Sequence, residues 1–261
     1  MNGWTGKILQ VDMSTRASDV LQLSPEIYRQ YVGGRGLTGY FLRQLAPLAW
    51  DDPQMPLMLC TGPLTGTMAP ASGHVIFAAR SPLTNGVFDE SVGGTLGTQL
   101  KAAGWDGLII TGVADTWTGI EIQDNNVRFT DASHLLPLSI SSATEKLKSG
   151  GAIAVTGPAA HRLVRFASVA VDGDFAAGRG GMGLCFTAKK LKYISVNGSM
   201  RTAVDRPDAL NDATEDIFRL TSASSILLGE NGISRLGTAA LFDLIHTRRM
   251  MPTANFRRTF F

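Results

Sequence analysis

The sequence predicts an α+β fold: a β-rich first domain of short strands and short helices, followed by a helical segment. Three observations carry that expectation. Short runs rich in Val, Ile and Phe recur from Lys7 to Val196. Glycine clusters separate them, and beyond about Ala203 the β-like runs give way to helical spacing.

The elements follow in order. Lys7 to Asp12 (KILQVD) alternates apolar and polar residues, as a strand with one buried face does. Ser24-Pro25-Glu26 predicts a helix start, with Ser24 as N-cap and Pro25 at the first position, running to Tyr31. The helix breaks at Gly33-Gly34 and resumes from Leu37 to about Leu45. Leu57 to Cys60, His74 to Ala79, Gly107 to Gly112 and Ile120 to Gln123 are β-like, and so are Ala152 to Val155, Arg165 to Val171 and Lys192 to Val196. Asp124-Asn125-Asn126 reads as a hairpin turn. Gly94 to Ala103 and Ser141 to Lys148 read as helices between strands. Arg206-Pro207-Asp208 opens a helix expected to reach about Leu220, and Gly237 to His246 forms another, with Leu241, Leu244 and Ile245 on one face. A boundary is therefore placed at residue 205, giving domains 1–205 and 206–261. The end, Met251-Pro-Thr-Ala-Asn-Phe-Arg-Arg-Thr-Phe-Phe, has neither a capped helix nor a polar tail and reads as a chain cut before its next domain.

Composition removes several classes. A formal charge of +2 with no block of like charges argues against nucleic acid or an anionic membrane as partner. No run of 18 apolar residues occurs, and the N-terminus lacks a basic stretch followed by an apolar one, so the expected location is the cytoplasm. The two cysteines, Cys60 and Cys185, form no CxxC pair and read as buried reduced thiols. The four histidines, His74, His134, His161 and His246, show no metal-ligand spacing. No P-loop or GxSxG elbow is present. Gly178-Arg-Gly-Gly-Met-Gly lacks the acidic partner that a dinucleotide site needs.

What remains is glycine. Of the 29 glycines, several cluster at Gly33 to Gly36, Gly62 to Gly66, Gly93 to Gly97 and Gly178 to Gly183. Glycine-rich turns that open helices can cradle phosphates, because unpaired amides and the helix dipole point at the anion. Ser91-Val92-Gly93-Gly94 and Ala177-Gly178-Arg179-Gly180-Gly181 qualify, with Arg179 able to add charge-assisted bonds. A phosphorylated cofactor held mainly by backbone fits both.

A set of motifs then makes the chain recognisable. They are Asn2-Gly-Trp-Thr-Gly-Lys-Ile-Leu, Val32-Gly-Gly-Arg-Gly-Leu, Thr61-Gly-Pro-Leu-Thr-Gly-Thr-Met-Ala-Pro, Ser81-Pro-Leu-Thr, Leu100-Lys-Ala-Ala-Gly-Trp-Asp-Gly and Ala176-Ala-Gly-Arg-Gly-Gly-Met-Gly. In this order, and with Gly237-Thr-Ala and the final Pro-Thr-Ala-Asn-Phe, they resemble the aldehyde ferredoxin oxidoreductase family over nearly the whole chain. The resemblance implies an N-terminal domain of two sheets related by a pseudo-twofold, forming a base for a bis-pterin tungsten or molybdenum cofactor. It implies oxidation of an aldehyde to a carboxylic acid with electrons passed to ferredoxin. The metal is then held by the pterin dithiolenes, not by protein ligands. The family's [4Fe-4S] cluster is ligated by a CxxCxxxC run and a distant cysteine, and that run is absent here.

Carried over residue by residue, the resemblance implies that Gly93, Ala176, Gly178 and Arg179 contact the pterin cofactor, with Val92 in the same turn. Three positions depart. His74 stands where the family commonly has an arginine between cofactor and cluster, Ser91 where an asparagine is frequent, and Phe175 where another arginine can occur. Each lost charged hydrogen bond is worth about 1.5–3 kcal/mol. Two readings stay open. One is the cofactor-binding part of an oxidoreductase completed by a C-terminal half or a partner subunit carrying the cluster cysteines. The other is a non-catalytic assembly or binding domain that kept the fold and lost the cofactor. Either way, an apolar face normally covered by later domains predicts self-association.

Overall fold

The computed structural model describes residues 2–45, 47–148 and 151–261. The chain divides into two compact units, Met1–Asp205 and Arg206–Phe261.

The first unit contains two mixed sheets of six strands each. The first sheet comprises β1 (Lys7–Asp12), β2 (Ala17–Gln22), β3 (Leu57–Cys60), β4 (Val75–Arg80), β5 (Val87–Val92) and β6 (Gly107–Thr111), in the order β2-β1-β6-β3-β4-β5. The second comprises β7 (Thr118–Gln123), β8 (Asn126–Asp131), β9 (Ala152–Thr156), β10 (Val169–Val171), β11 (Phe175–Ala177) and β12 (Leu191–Asn197), in the order β11-β10-β9-β12-β7-β8. Read from opposite ends, the two orders are the same. In each sheet the first strand pairs antiparallel with the second and parallel with the last, and the middle three form an antiparallel meander against that last strand. A seven-residue helix precedes the last strand in both: α3 (Leu96–Ala102) and, after the short α5 (Pro158–His161), α6 (Met182–Ala188).

Side chains mark the repeat independently of the ladders. The Thr61 hydroxyl donates to the Asp106 carbonyl at 3.0 Å, and the Thr156 hydroxyl donates to the Lys192 carbonyl at 3.2 Å. Both threonines open a Thr-Gly-Pro turn at the end of the third strand of their sheet. A Cβ on Gly97 would lie 2.5 Å from the Gly73 carbonyl oxygen, and one on Gly183 would lie 2.7 Å from that of Ala167. Each helix thus needs glycine where it crosses the segment entering its meander.

One continuous apolar cluster draws on both sheets, with Leu59, Val75, Phe77 and Val92 from the first and Ile120, Ala154, Val169 and Ile194 from the second. Strand alternation sends the other face of the first sheet, Ile8, Met58, Cys60 and Ala78, against Tyr28, Leu37 and Leu42. Tyr28 lies on α1 (Pro25–Tyr31), and Leu37 and Leu42 lie on α2 (Gly34–Leu42). The second sheet's outer face packs Ile153, Val155 and Tyr193 on Ala143 of α4 (Ile140–Leu147).

The structure corrects several expectations. β2, β5 and β11 were not anticipated as strands. All three are sheet edges, where a strand has one neighbour and its sequence is free to be polar or very short, as in VFDESV and FAA. Arg165 to Val171 shortens to Val169–Val171, and the second helix begins at Gly34 rather than Leu37. Ser24 sits at the N-cap of α1 but makes no side-chain cap, whereas Ser139 caps α4 through the Ser142 amide. Asp124 turns the β7–β8 hairpin with φ 51°.

The second unit opens with α7 (Pro207–Ser222), followed by the one-turn helices α8 (Ser225–Leu228) and α9 (Ile233–Leu236) and by α10 (Phe242–Thr247). The stretch expected as one helix from Gly237 is a 3-10 turn, Gly237–Leu241, leading into α10. Among its described residues only Thr214 and Gly232 are buried, while Phe218 is 56% and Leu220 66% exposed. The unit has almost no apolar interior of its own.

Candidate cofactor seam

β5 is the edge strand of the first sheet's meander and β11 that of the second, and the two edges lie against each other. Their registers make the candidate residues correspond. Val75 pairs with Val92, and Ile76 with Ser91. In the second sheet Val169 pairs with Ala177, and Ala170 with Ala176. Ser91 therefore corresponds to Ala176, and Val92 to Ala177. One step beyond each ladder, Gly93 corresponds to Gly178 and His74 to Ser168. A Cβ on Gly178 would sit 3.4 Å from that of Ser168, consistent with the extended register.

The seam thus gathers Ser91, Val92 and Gly93 from one half and Ala176, Gly178 and Arg179 from the other. Val92 is buried in the shared core; Ser91, Ala176 and Arg179 are exposed. His74 is exposed at the head of β4 and faces a separate cleft. That cleft, of about 490 Å³, is walled by Gly33, Arg35, Gly62, Thr65, Ser72 and Ile76 among others. Motifs meet there. Gly34 donates its amide to the Thr61 carbonyl at 2.9 Å, and the Trp4 indole donates to the Val32 carbonyl at 2.6 Å. Val32 holds φ 64°, a strained value for a β-branched residue. Arg35 is paired with Asp89 of β5.

Two amides at the glycine turns, those of Thr95 and Arg179, already have partners from across the seam. Asp172 accepts from the Thr95 amide at 2.6 Å and from the Thr95 hydroxyl at 2.9 Å. Its other oxygen accepts from the Ile153 amide at 2.9 Å. Glu90 accepts from the Arg179 amide at 3.0 Å. Burial raises the Glu90 carboxyl above the usual range, against the lowering pull of the Arg179 amide and guanidinium. Phe175 lies over the first glycine turn: its ring carbons fall 2.8 Å from a Cβ built on Gly93 and 3.2 Å from one on Gly94. Glu90 and Asp172 were not among the candidates read from sequence. The signal was an acidic residue shortly before each glycine cluster.

Among the described residues no group of three or more His, Cys, Asp or Glu side chains is placed to hold a metal ion. Both cysteines are free and buried, and burial pushes each thiol up to about 12. Among the described residues no helix is long and apolar enough to cross a membrane.

Residues 8–198 match the sequence profile described as "Aldehyde ferredoxin oxidoreductase, N-terminal domain". A tungsten-containing aldehyde ferredoxin oxidoreductase of Thermococcus kodakarensis is 35% identical over 98% of this chain and 43% of the relative. The WOR-like subunit of an aliphatic sulfonate oxidoreductase of Pyrococcus furiosus is 31% identical over 76% of this chain and 35% of its own length. Among solved structures, the active-site complex of a benzoyl-coenzyme A reductase superposes with a TM-score of 0.81 at 26% identity. That alignment covers 85% of this chain and 35% of the other. The chain thus spans less than half the length of these relatives.

Proposed function

Because the chain belongs to the aldehyde ferredoxin oxidoreductase family, as its N-terminal domain, we propose that it forms the base for a bis-pterin tungsten or molybdenum cofactor. The observation that carries this reading is the register correspondence of Ser91–Gly93 with Ala176–Gly178 on two facing edge strands. A ligand built of two like halves is matched by a surface built of two like halves. On this reading the exposed backbone around Ser91 and Ala176 receives the two pterins, Gly93 and Gly178 permit close approach, and Arg179 supplies positive charge. The metal held by such a cofactor would supply the oxidation of an aldehyde to a carboxylic acid. Tungsten is favoured by the names of the relatives.

Fit to such a group is good in symmetry and backbone exposure and poor in charge. Carboxylates occupy two of the amides, and Phe175 is apolar. Those observations favour the second reading, a domain that kept the fold without the cofactor.

The proposed partners are a C-terminal half or a separate subunit carrying the cysteines of a [4Fe-4S] cluster, and a ferredoxin-like carrier. The exposed apolar residues of 206–261 favour association, with that partner or with a second copy. The cytoplasm is the proposed location. The deciding measurement is tungsten, molybdenum and pterin content of the purified chain, alone and co-expressed with a polypeptide carrying a CxxCxxxC run. Stoichiometric metal and pterin in the co-expressed sample is expected. Their absence from both samples leaves the second reading.

A further inference from the structure

Glu90 and Phe175 occupy corresponding places in the repeat. Glu90 is paired with Phe77, two steps into its ladder from Val75, and Phe175 is paired with Val171, two steps in from Val169. Both side chains cross the seam, and each lands on the glycine turn that follows the other's strand. The Glu90 carboxylate accepts from the Arg179 amide, next to Gly178. The Phe175 ring lies against Gly93 and Gly94. The exchange is reciprocal, although one side chain is an acid and the other an aromatic ring.

We propose that Glu90 and Phe175 form a paired cover over the two glycine turns, which a phosphorylated, two-part ligand must displace to reach the backbone beneath. The proposal rests on the cofactor reading above for the identity of that ligand, but not for the cover itself. The physical case has three parts. A glycine turn can approach a ligand only where its Cα faces are open, and here one face is filled by the chain's own ring. An amide that already donates to a carboxylate is available to a phosphate only after that carboxylate leaves. Moreover, a carboxylate fixed beside the turn repels an incoming phosphate. Both covers can leave without opening the core. Phe175 is 46% exposed and stands on an edge strand three residues long. Glu90 is on the other edge.

The test uses the full chain with Phe175→Ala and Glu90→Ala made singly, and Val87→Ala as a control, since Val87 is an exposed residue of β5. Hydrogen exchange reads the cover. Phe175→Ala should speed exchange at Gly93 and Gly94, and Glu90→Ala at Arg179, by about tenfold or more, with Val87→Ala changing neither. Pterin and tungsten or molybdenum content, measured with and without the cluster-bearing partner, reads the consequence, and both cover variants should retain about threefold more than the parent. Unchanged exchange overturns the cover. Faster exchange with unchanged, non-zero pterin overturns displacement as the step that limits loading. Faster exchange with no pterin in any sample leaves the cover standing and removes the cofactor reading.

Discussion

Lys101 and Asp106 form an ion pair whose two side chains are wholly withdrawn from solvent. Lys101 also donates to the Gly3 carbonyl at 2.9 Å, and Asp106 accepts from the amides of Thr5 at 2.9 Å and Gly6 at 2.8 Å. The pair ties the N-terminal strap to the turn that enters β6. Burial lowers the Lys101 pKa while Asp106 raises it. Replacing one partner strands a buried charge. Lys101→Met should therefore lose about 3–5 kcal/mol in urea unfolding, and Lys101→Met with Asp106→Leu should lose less than the single variant.

The repeat predicts matched responses at Gly97 and Gly183. An added Cβ meets a backbone carbonyl within 2.7 Å at both. Each Gly→Ala change should destabilise by about 1–3 kcal/mol. Gly39 of α2 has open space around its Cβ direction, so Gly39→Ala should gain about 0.5–1 kcal/mol. Equal stability of all three variants in thermal unfolding would remove the close crossings as the reason for these glycines.

His161 predicts acid sensitivity. Burial first, and then the Lys192 charge, lower its pKa from 6.5 to about 4, and Trp117 sits edge-on at 4.6 Å. Between those values the unfolded chain binds a proton that the folded chain refuses. Stability should therefore fall as pH drops from 6.5 toward 4. After discounting for the partial exposure of the ring, the loss is on the order of 1–2 kcal/mol. His161→Gln should flatten that part of the pH profile, measured as the urea midpoint.

The unit 206–261 predicts low local protection. With only Thr214 and Gly232 buried among its described residues, its amides should exchange orders of magnitude faster than those of β3, β9 and β12. Limited proteolysis should cut there first. Slow exchange throughout α7 in a monomeric sample would contradict this.

The buried strands were legible because burial leaves a pattern: β3 and β9 are apolar runs, and β1 alternates. The edge strands were not, since an edge has no second neighbour to demand apolar residues, and β5 reads as a polar segment with two acids. That omission mattered most at the candidate site, because β5 and β11 carry it. The glycine turns were visible, but their occupants were not. Nothing local in the sequence says that Glu90 reaches Arg179 or that Phe175 lies on Gly93.

The sequence by itself determined the class of fold, the stations of the glycine turns and the family to which the chain belongs. Composition and periodicity are local properties, and ordered motifs preserve them. Only the tertiary structure decided which residues correspond across the two sheets, that Ser91 corresponds to Ala176, and that each half places a side chain on the other's turn. Those relations depend on strand register and on sheets meeting edge to edge. They join residues far apart in the chain, and no local preference encodes such a contact.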